Sequence, residues 1–256
     1  MKKISLLIIT IITITACKKN DTTSQVNSTV QNPTNTTASY TLDAQGYPSG
    51  TYNGCLTYAA DSLTNGTSLS MISCSFSNPA LPLINIFNSG GNASVNSVTA
   101  NGINISKTMN GNLALYNLDT TNAVVFPPCK WQINGNSSIP TFSYTSNTPL
   151  PSINAVVSQL PSTISRQQDF SVSINSASNY DAVFMEITNF SSTAQISVPY
   201  TNSTIVIPKD SLTKLNPGTN YRIAMAFIKY NVQTINGKNF IFCAERIFNK
   251  LNVVVN

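Results

Sequence analysis

From residue 40 onward the chain is a series of short runs in which apolar and polar residues alternate, each closed by Asn-Gly, Pro or a Ser/Thr cluster. A period of two sends successive side chains to opposite faces of an extended backbone, so the pattern predicts half-buried β-strands. Asn-Gly occurs at Asn53-Gly54, Asn65-Gly66, Asn101-Gly102, Asn110-Gly111, Asn134-Gly135 and Asn236-Gly237. Both central positions of a type I′ turn need positive φ, which Asn and Gly adopt with least strain. The clearest hairpins join Val98-Thr99-Ala100 to Ile103-Asn104-Ile105, and Thr234-Ile235 to residues 238–242. Further strands are predicted over 170–174, 182–187, 195–198, 204–207, 221–230 and 240–248.

Residues 145–161 hold Pro149, Pro151 and Pro161 and few apolar runs, which places a boundary between two units, 40–149 and 150–256. Residues 18–39 read KKNDTTSQVNSTVQNPTNTTAS, polar, low in complexity and without an aromatic residue. Such a segment lacks the apolar surface to order itself, so residues 17–39 are expected to form a flexible tether. Ahead of it, Lys2 and Lys3 precede an apolar run over 4–14, too short for a permanent membrane-spanning helix. That arrangement predicts a signal peptide over residues 1–16.

Only 9% of residues are Asp, Glu, Lys or Arg, against about a quarter in typical soluble domains. Asn, Ser and Thr supply the polarity instead and make up roughly a third or more of the chain. Their side chains compete for backbone hydrogen bonds and disfavour helices, so composition agrees with the periodicity on an all-β fold. The formal charge is +5; without Lys2 and Lys3, twelve basic residues face nine acidic ones, giving +3. No basic stripe interleaved with aromatics is present, and no nucleic-acid partner is expected.

Three resemblances sharpen the picture. Ile14-Thr15-Ala16-Cys17 is similar to the lipobox of bacterial lipoproteins, which implies cleavage before Cys17 and acylation of its thiol. Leu215-Asn216-Pro217-Gly218-Thr219-Asn220-Tyr221 resembles the L-x-P-G-T-x-Y corner of fibronectin type III domains, which implies an Ig-like sandwich for the second unit. The strand tryptophan of such domains is absent, with Val183, Phe184 and Met185 in its region. The Cys17-Lys18-Lys19-Asn20 start, the Trp131 to Gly135 spacing and Ile139-Pro140-Thr141-Phe142 resemble outer-membrane lipoproteins of Bacteroidota. That group implies a lipid-anchored outer-membrane protein, on the cell surface or the periplasmic face, and points to no particular activity.

Once Cys17 is set aside, four cysteines remain, and an even number in an exported protein fits disulfides with three connectivities. Cys55 and Cys74 flank a short polar segment and are the preferred pair, with Cys243 in an apolar strand as a candidate free thiol. With no histidine and no C-x-x-C spacing, neither a metal site nor a cofactor is expected.

Catalytic motifs are sparse. Ser211-Leu212-Thr213-Lys214 fits the S-x-x-K pattern of serine acyltransferases, but its usual partner motifs are missing. A single turn capped by Asp210 is the expected role, since four-residue patterns recur by chance. Glu186 and Glu245 would form a hydrolytic pair only if their strands were neighbours. Trp131, Tyr144, Tyr52 and Tyr58, set among amides and hydroxyls, are candidates for stacking on sugar rings, with a core role for Trp131 as the alternative. Thr22, Ser62, Thr120 and Ser211 each follow an Asp, in triplets that resemble Bacteroidota O-glycosylation sites. The expectation is a tethered, non-catalytic binding or interaction protein with two β-sandwiches. A glycan-capture protein and an adhesive or structural one are the alternatives.

Overall fold

The computed structural model describes residues 35–63, 68–89, 91–111, 113–120, 127–153, 156, 160–189, 192–199 and 203–256. The expected signal peptide (1–16), Cys17 and Thr22 lie outside the described residues, as does Asn65-Gly66. The first elements are β1 (Asn35–Thr37), β2 (Tyr52–Leu63), β3 (Ser68–Leu81), α1 (Leu83–Ser89), β4 (Ser97–Ala100) and β5 (Ile103–Asn104). Next come β6 (Ser106–Asn110), β7 (Leu113–Thr120), β8 (Cys129–Asn134), β9 (Phe142–Ser146), β10 (Thr163–Ile164) and β11 (Phe170–Ser173). Then follow β12 (Ala182–Thr188), β13 (Thr193–Pro199), β14 (Thr204–Ile207), α2 (Lys209–Leu212), β15 (Gly218–Ile235) and β16 (Lys238–Val255).

The architecture is all-β, with one ten-stranded sheet ordered β13-β12-β15-β16-β2-β3-β7-β6, to which β1 and β10 add at the edges. Two smaller sheets cover the same face of it. The pair β11–β14 packs over the second half, where Val172, Ile205 and Ile207 meet Met185, Ile223 and Phe227. This second lobe has the strand order of an Ig-like sandwich, with β11 and β14 opposite a sheet of β13, β12, β15 and β16. The four-stranded sheet β5-β4-β8-β9 packs over the first half, where Trp131, Ile133 and Phe142 meet Leu56, Tyr58 and Phe240.

The expected tyrosine corner is formed. Leu215 and Tyr221 are buried in the second core, and Tyr221 Oη donates to the Asn216 carbonyl at 2.6 Å. In place of a strand tryptophan, Val183 and Met185 point into that core, while Phe184 faces the other side of the sheet. The Asn-Gly turns behave as predicted at two hairpins: φ is 50° and 79° at Asn101 and Gly102, and 51° and 75° at Asn236 and Gly237.

The boundary at 149/150 separates the two small sheets but not the large one. β15 and β16 run 18 residues each, paired from Gly218–Val255 out to Ile235–Lys238. The outer half of this hairpin belongs to the first lobe, where β16 pairs in parallel with β2 from Phe240–Gly54 to Asn249–Leu63. The run Phe240-Ile241-Phe242-Cys243-Ala244 is apolar at every position because both faces of β16 are covered there. Phe240 and Phe242 face the four-stranded sheet, while Ile241 and Cys243 face α1 and residues 38–47.

Part of the segment expected to be a tether is ordered in the sheet. Residues 35–39 belong to the fold: β1 pairs with Gln233–Ile235, the Ala38 amide donates to the Val232 carbonyl, and Ala38 and Tyr40 pack on the sheet. Composition misses this because a three-residue strand needs only a backbone edge to pair with, not an apolar face of its own.

Candidate functional site

The four-stranded sheet divides cleanly between its faces. In β8 the residues alternate buried and exposed through Cys129, Lys130, Trp131, Gln132, Ile133 and Asn134. Across the sheet the register aligns Asn104, Thr99, Gln132 and Ser143 in one row, one residue from each strand, on the face turned from the core. Lys130 beside Thr145, and Ser97 beside Asn134, flank that row. Thr99 Oγ1 donates to Gln132 Oε1 at 3.1 Å, so neighbouring members of the row are already oriented by each other. The surface is hydroxyl- and amide-bearing and carries Lys130 as its charge.

The turn that supports it explains the Trp131–Phe142 motif without invoking a ligand. Asn136 Oδ1 accepts from the Ser138 and Ile139 amides at 2.7 and 3.0 Å, and the Asn136 amide closes the loop on the Ile139 carbonyl at 2.8 Å. A Cβ on Gly135 would sit 2.0 Å from that same carbonyl, so only glycine allows the approach. Ile139 and Phe142 then drop into the core.

None of the four aromatic candidates forms an exposed stacking platform. Trp131 is 1% exposed, and its Nε1 has no hydrogen-bond partner among the described residues. Tyr58 is buried in the same core, its hydroxyl on the Thr148 carbonyl, and burial pushes its pKa up to about 12. Tyr52 is buried on the opposite face of the sheet and donates to the Ser49 carbonyl at 2.7 Å. Tyr144 is half-buried, its ring centroid 4.0 Å from that of Phe242, and its hydroxyl accepts from Asn231 Nδ2 at 2.9 Å. Trp131, Tyr58 and Tyr144 fill the core under the four-stranded sheet and Tyr52 that on the opposite face of the large sheet, which is why they are large and covered.

The preferred Cys55–Cys74 disulfide is not formed. Cys55 registers with Ser75 and Cys74 with Leu56, so the two thiols project from opposite faces of the sheet. Cys74 lies with Cys129 in the first core, whereas Cys55 Sγ stands 3.8 Å from Cys243 Sγ on the other face. All four are free and buried. Burial pushes the Cys129 thiol up to about 12 and holds those of Cys74 and Cys243 well above the ordinary thiol range.

The remaining candidates are not brought together as chemistry would require. β15 separates β12 from β16, so Glu186 pairs with Arg222 at 3.4 Å while Glu245 is buried elsewhere on the sheet. Ser211 and Lys214 sit in and just after the single turn α2, whose Lys209 amide is capped by Asp169 Oδ1 at 2.7 Å rather than by Asp210. Ser62 and Thr120 lie in β2 and β7. A shallow recess of about 280 Å³ beside β11, lined by Thr163, Gln168, Asp169 and Ser171, is polar and open. No cluster of three or more potential metal ligands occurs among the described residues, and none of their helices is long and apolar enough to cross a membrane.

One polar cluster escaped the sequence reading. Asp181 immediately precedes β12, at the level where β15 runs on without that neighbour. Its carboxylate accepts from the Tyr230 amide at 2.8 Å, Tyr40 Oη at 2.7 Å and Lys229 Nζ at 2.6 Å. The carboxylate takes the place of a strand partner for the Tyr230 amide, and Ala38 and β1 continue the edge beyond it.

No family model matches the chain. No curated protein matches it either. Among solved structures, one described as "Crystal structure of DIP-gamma IG1+IG2" aligns over 87% of this chain and 97% of its own, at 11% identity and a TM-score of 0.19. A likeness that slight carries no argument, and the Ig-like description of the second lobe rests on its strand order and its tyrosine corner.

Proposed function

We propose that this protein is a lipid-anchored, non-catalytic binding protein of the cell envelope that meets a neutral, hydroxyl-rich partner such as a glycan. The observation that carries the reading is the row Asn104–Thr99–Gln132–Ser143. Strands hold these groups at about 4.8 Å intervals, so donors and acceptors are fixed before a ligand arrives and little ordering entropy opposes binding. Uncharged amides and hydroxyls match sugar hydroxyls in kind, and a chain with 9% charged residues has little means of recognition by ion pairing. The Cys17 anchor comes from the lipobox resemblance, and the outer-membrane location from the resemblance to Bacteroidota lipoproteins. Loss of membrane association in Cys17→Ala is their test.

The binding reading is tested with the chain from Lys18 onward on a broad glycan panel, beside Gln132→Ala and Ser143→Ala. Both side chains are exposed, so neither substitution should disturb folding. Specific binding weakened about tenfold or more by either variant supports the reading. A blank panel, or binding indifferent to both, overturns it. Trp131→Ala is a poor probe because removing a buried indole costs about 3–5 kcal/mol of stability.

A second reading, adhesion by strand addition, is favoured by β6. This strand ends the large sheet, Ser106 to Met109 are exposed, and Met109 and nearby Ile103 are 46% and 41% exposed. Thr108→Pro would block a partner strand at that edge and abolish assembly if β6 is the contact.

A further inference from the structure

We propose that Cys55 and Cys243, free thiols in this structure, oxidise to a strained, readily reduced disulfide that ties β2 to the β15–β16 hairpin. The sheet itself dictates the pairing. Cys74 and Cys129 lie on the face covered by the four-stranded sheet, and Cys55 and Cys243 on the face covered by α1 and residues 38–47. The backbone of the sheet stands between the two sets, so every connectivity that crosses it is excluded. Cys55–Cys243 is the one bond left to either residue, and the Sγ atoms already touch at 3.8 Å.

The register accounts for the strain. β2 and β16 are parallel, and Cys55 registers with Ile241 while Cys243 registers with Thr57. A diagonal offset of two residues places the Cα atoms roughly 8 Å apart, from a strand spacing of about 4.8 Å and a rise of about 3.3 Å per residue. Disulfides ordinarily hold Cα atoms within about 6.8 Å, so closure draws the strands along each other and the bond is easier to reduce than an unstrained one. Oxidation removes two protons and two electrons from the thiols. The electrons pass by thiol–disulfide exchange to the disulfide of an oxidant, a thiol oxidase or oxidised glutathione, which leaves as two thiols. Leu83, Ile86, Tyr52 and Tyr230 cover the pair, so exchange takes place before this face closes.

The bond would lock the first half of the chain to the hairpin contributed by the second, a junction otherwise held by backbone hydrogen bonds and packing. The inference is independent of the glycan reading, since it concerns the core and not the outer face. The test is to refold the chain from Lys18 onward in glutathione buffers of graded ratio, quench in acid, alkylate in denaturant and map peptides without reduction. A linked Cys55–Cys243 peptide in oxidising buffer, lost at moderate reduced-glutathione excess, is the expected result. Both thiols alkylated at every ratio, Cys55 bonded to Cys74 or Cys129, or a link resistant to a large excess of reductant would each overturn the proposal. Cys74→Ala with Cys129→Ala leaves only the proposed pair. If that variant folds poorly, Cys55→Ser and Cys243→Ser must each eliminate the linked peptide.

Discussion

Tyr40 and Asp181, 141 positions apart, meet through a 2.7 Å hydrogen bond that closes the edge of the large sheet. Tyr40 Oη also lies 3.0 Å from the Tyr230 carbonyl, so one phenol serves the end of β12 and the bared length of β15 together. Asp181→Ala therefore leaves the Tyr230 amide unsatisfied and the Tyr40 hydroxyl with only its longer contact to the Tyr230 carbonyl, besides breaking the pair with Lys229. The ion pair is a third exposed on the lysine side and contributes little. The bared amide accounts for most of a loss of about 1–3 kcal/mol. Thermal unfolding should shift down by about 2–12 °C, with Tyr40→Phe costing about 1 kcal/mol. An unchanged melting curve for Asp181→Ala would show that water replaces these contacts.

Tyr221→Phe removes the corner hydrogen bond to Asn216 and the 2.7 Å contact with Ser192 Oγ while keeping the ring in the core. A destabilisation of about 1–2 kcal/mol follows, read in urea as a lower midpoint with an unchanged slope. A changed slope would mean that the corner governs compactness rather than stability alone.

Alkaline pH should unfold the protein through its tyrosines. Burial pushes Tyr47 and Tyr58 from 10.0 up to about 12, and burial together with the bond to Asp181 raises Tyr40 further. With folded pKa values above the unfolded one, the folded state holds its protons longer. The stabilisation is complete below about pH 10 and declines as the pH rises from there toward 12. Tyrosinate absorbance and circular dichroism should then change together. Ionisation of all ten tyrosines near pH 10 with the fold intact would contradict the burial.

Residues 40–149 alone should not fold. Without β16 the first core lacks Phe240 and Phe242, and β2 presents a bare edge along its inner residues. Adding back residues 150–256 as a separate chain should restore dispersed amide resonances, whereas a folded 40–149 fragment would show the first lobe to be self-sufficient.

The sequence displayed strands better than partners. Alternation located β11, β12, β14 and the two Asn-Gly hairpins because side-chain direction is a local property. The corner at Tyr221 was legible for the same reason, since turn, anchor and hydroxyl acceptor lie within seven residues. Which strand lies beside β2 is not local: Gly54 and Phe240 become neighbours only through the path of the whole chain. The Cys55–Cys74 pairing failed on that ground, because proximity along the chain says nothing about which face of a sheet a thiol leaves. The aromatic candidates failed otherwise. Residue type suits Trp131 equally to a sugar and to a core, and the buried positions on either side of Gln132 decide for the core. Those same alternating positions identify the outer row, a signal overlooked because no charge or aromatic ring marks it.

The parallel contact between β2 and β16 also orders events in time. A ribosome or an export channel releases the chain from its N-terminus, so β2 emerges some 190 residues before the strand that shields its inner edge. Through that interval a backbone ready to pair and the faces of Leu56 and Tyr58 await closure, and they invite capture by other chains. A holding chaperone acting until residue 240 and beyond is released would shorten that exposure, and maturation would proceed in a single late step rather than lobe by lobe.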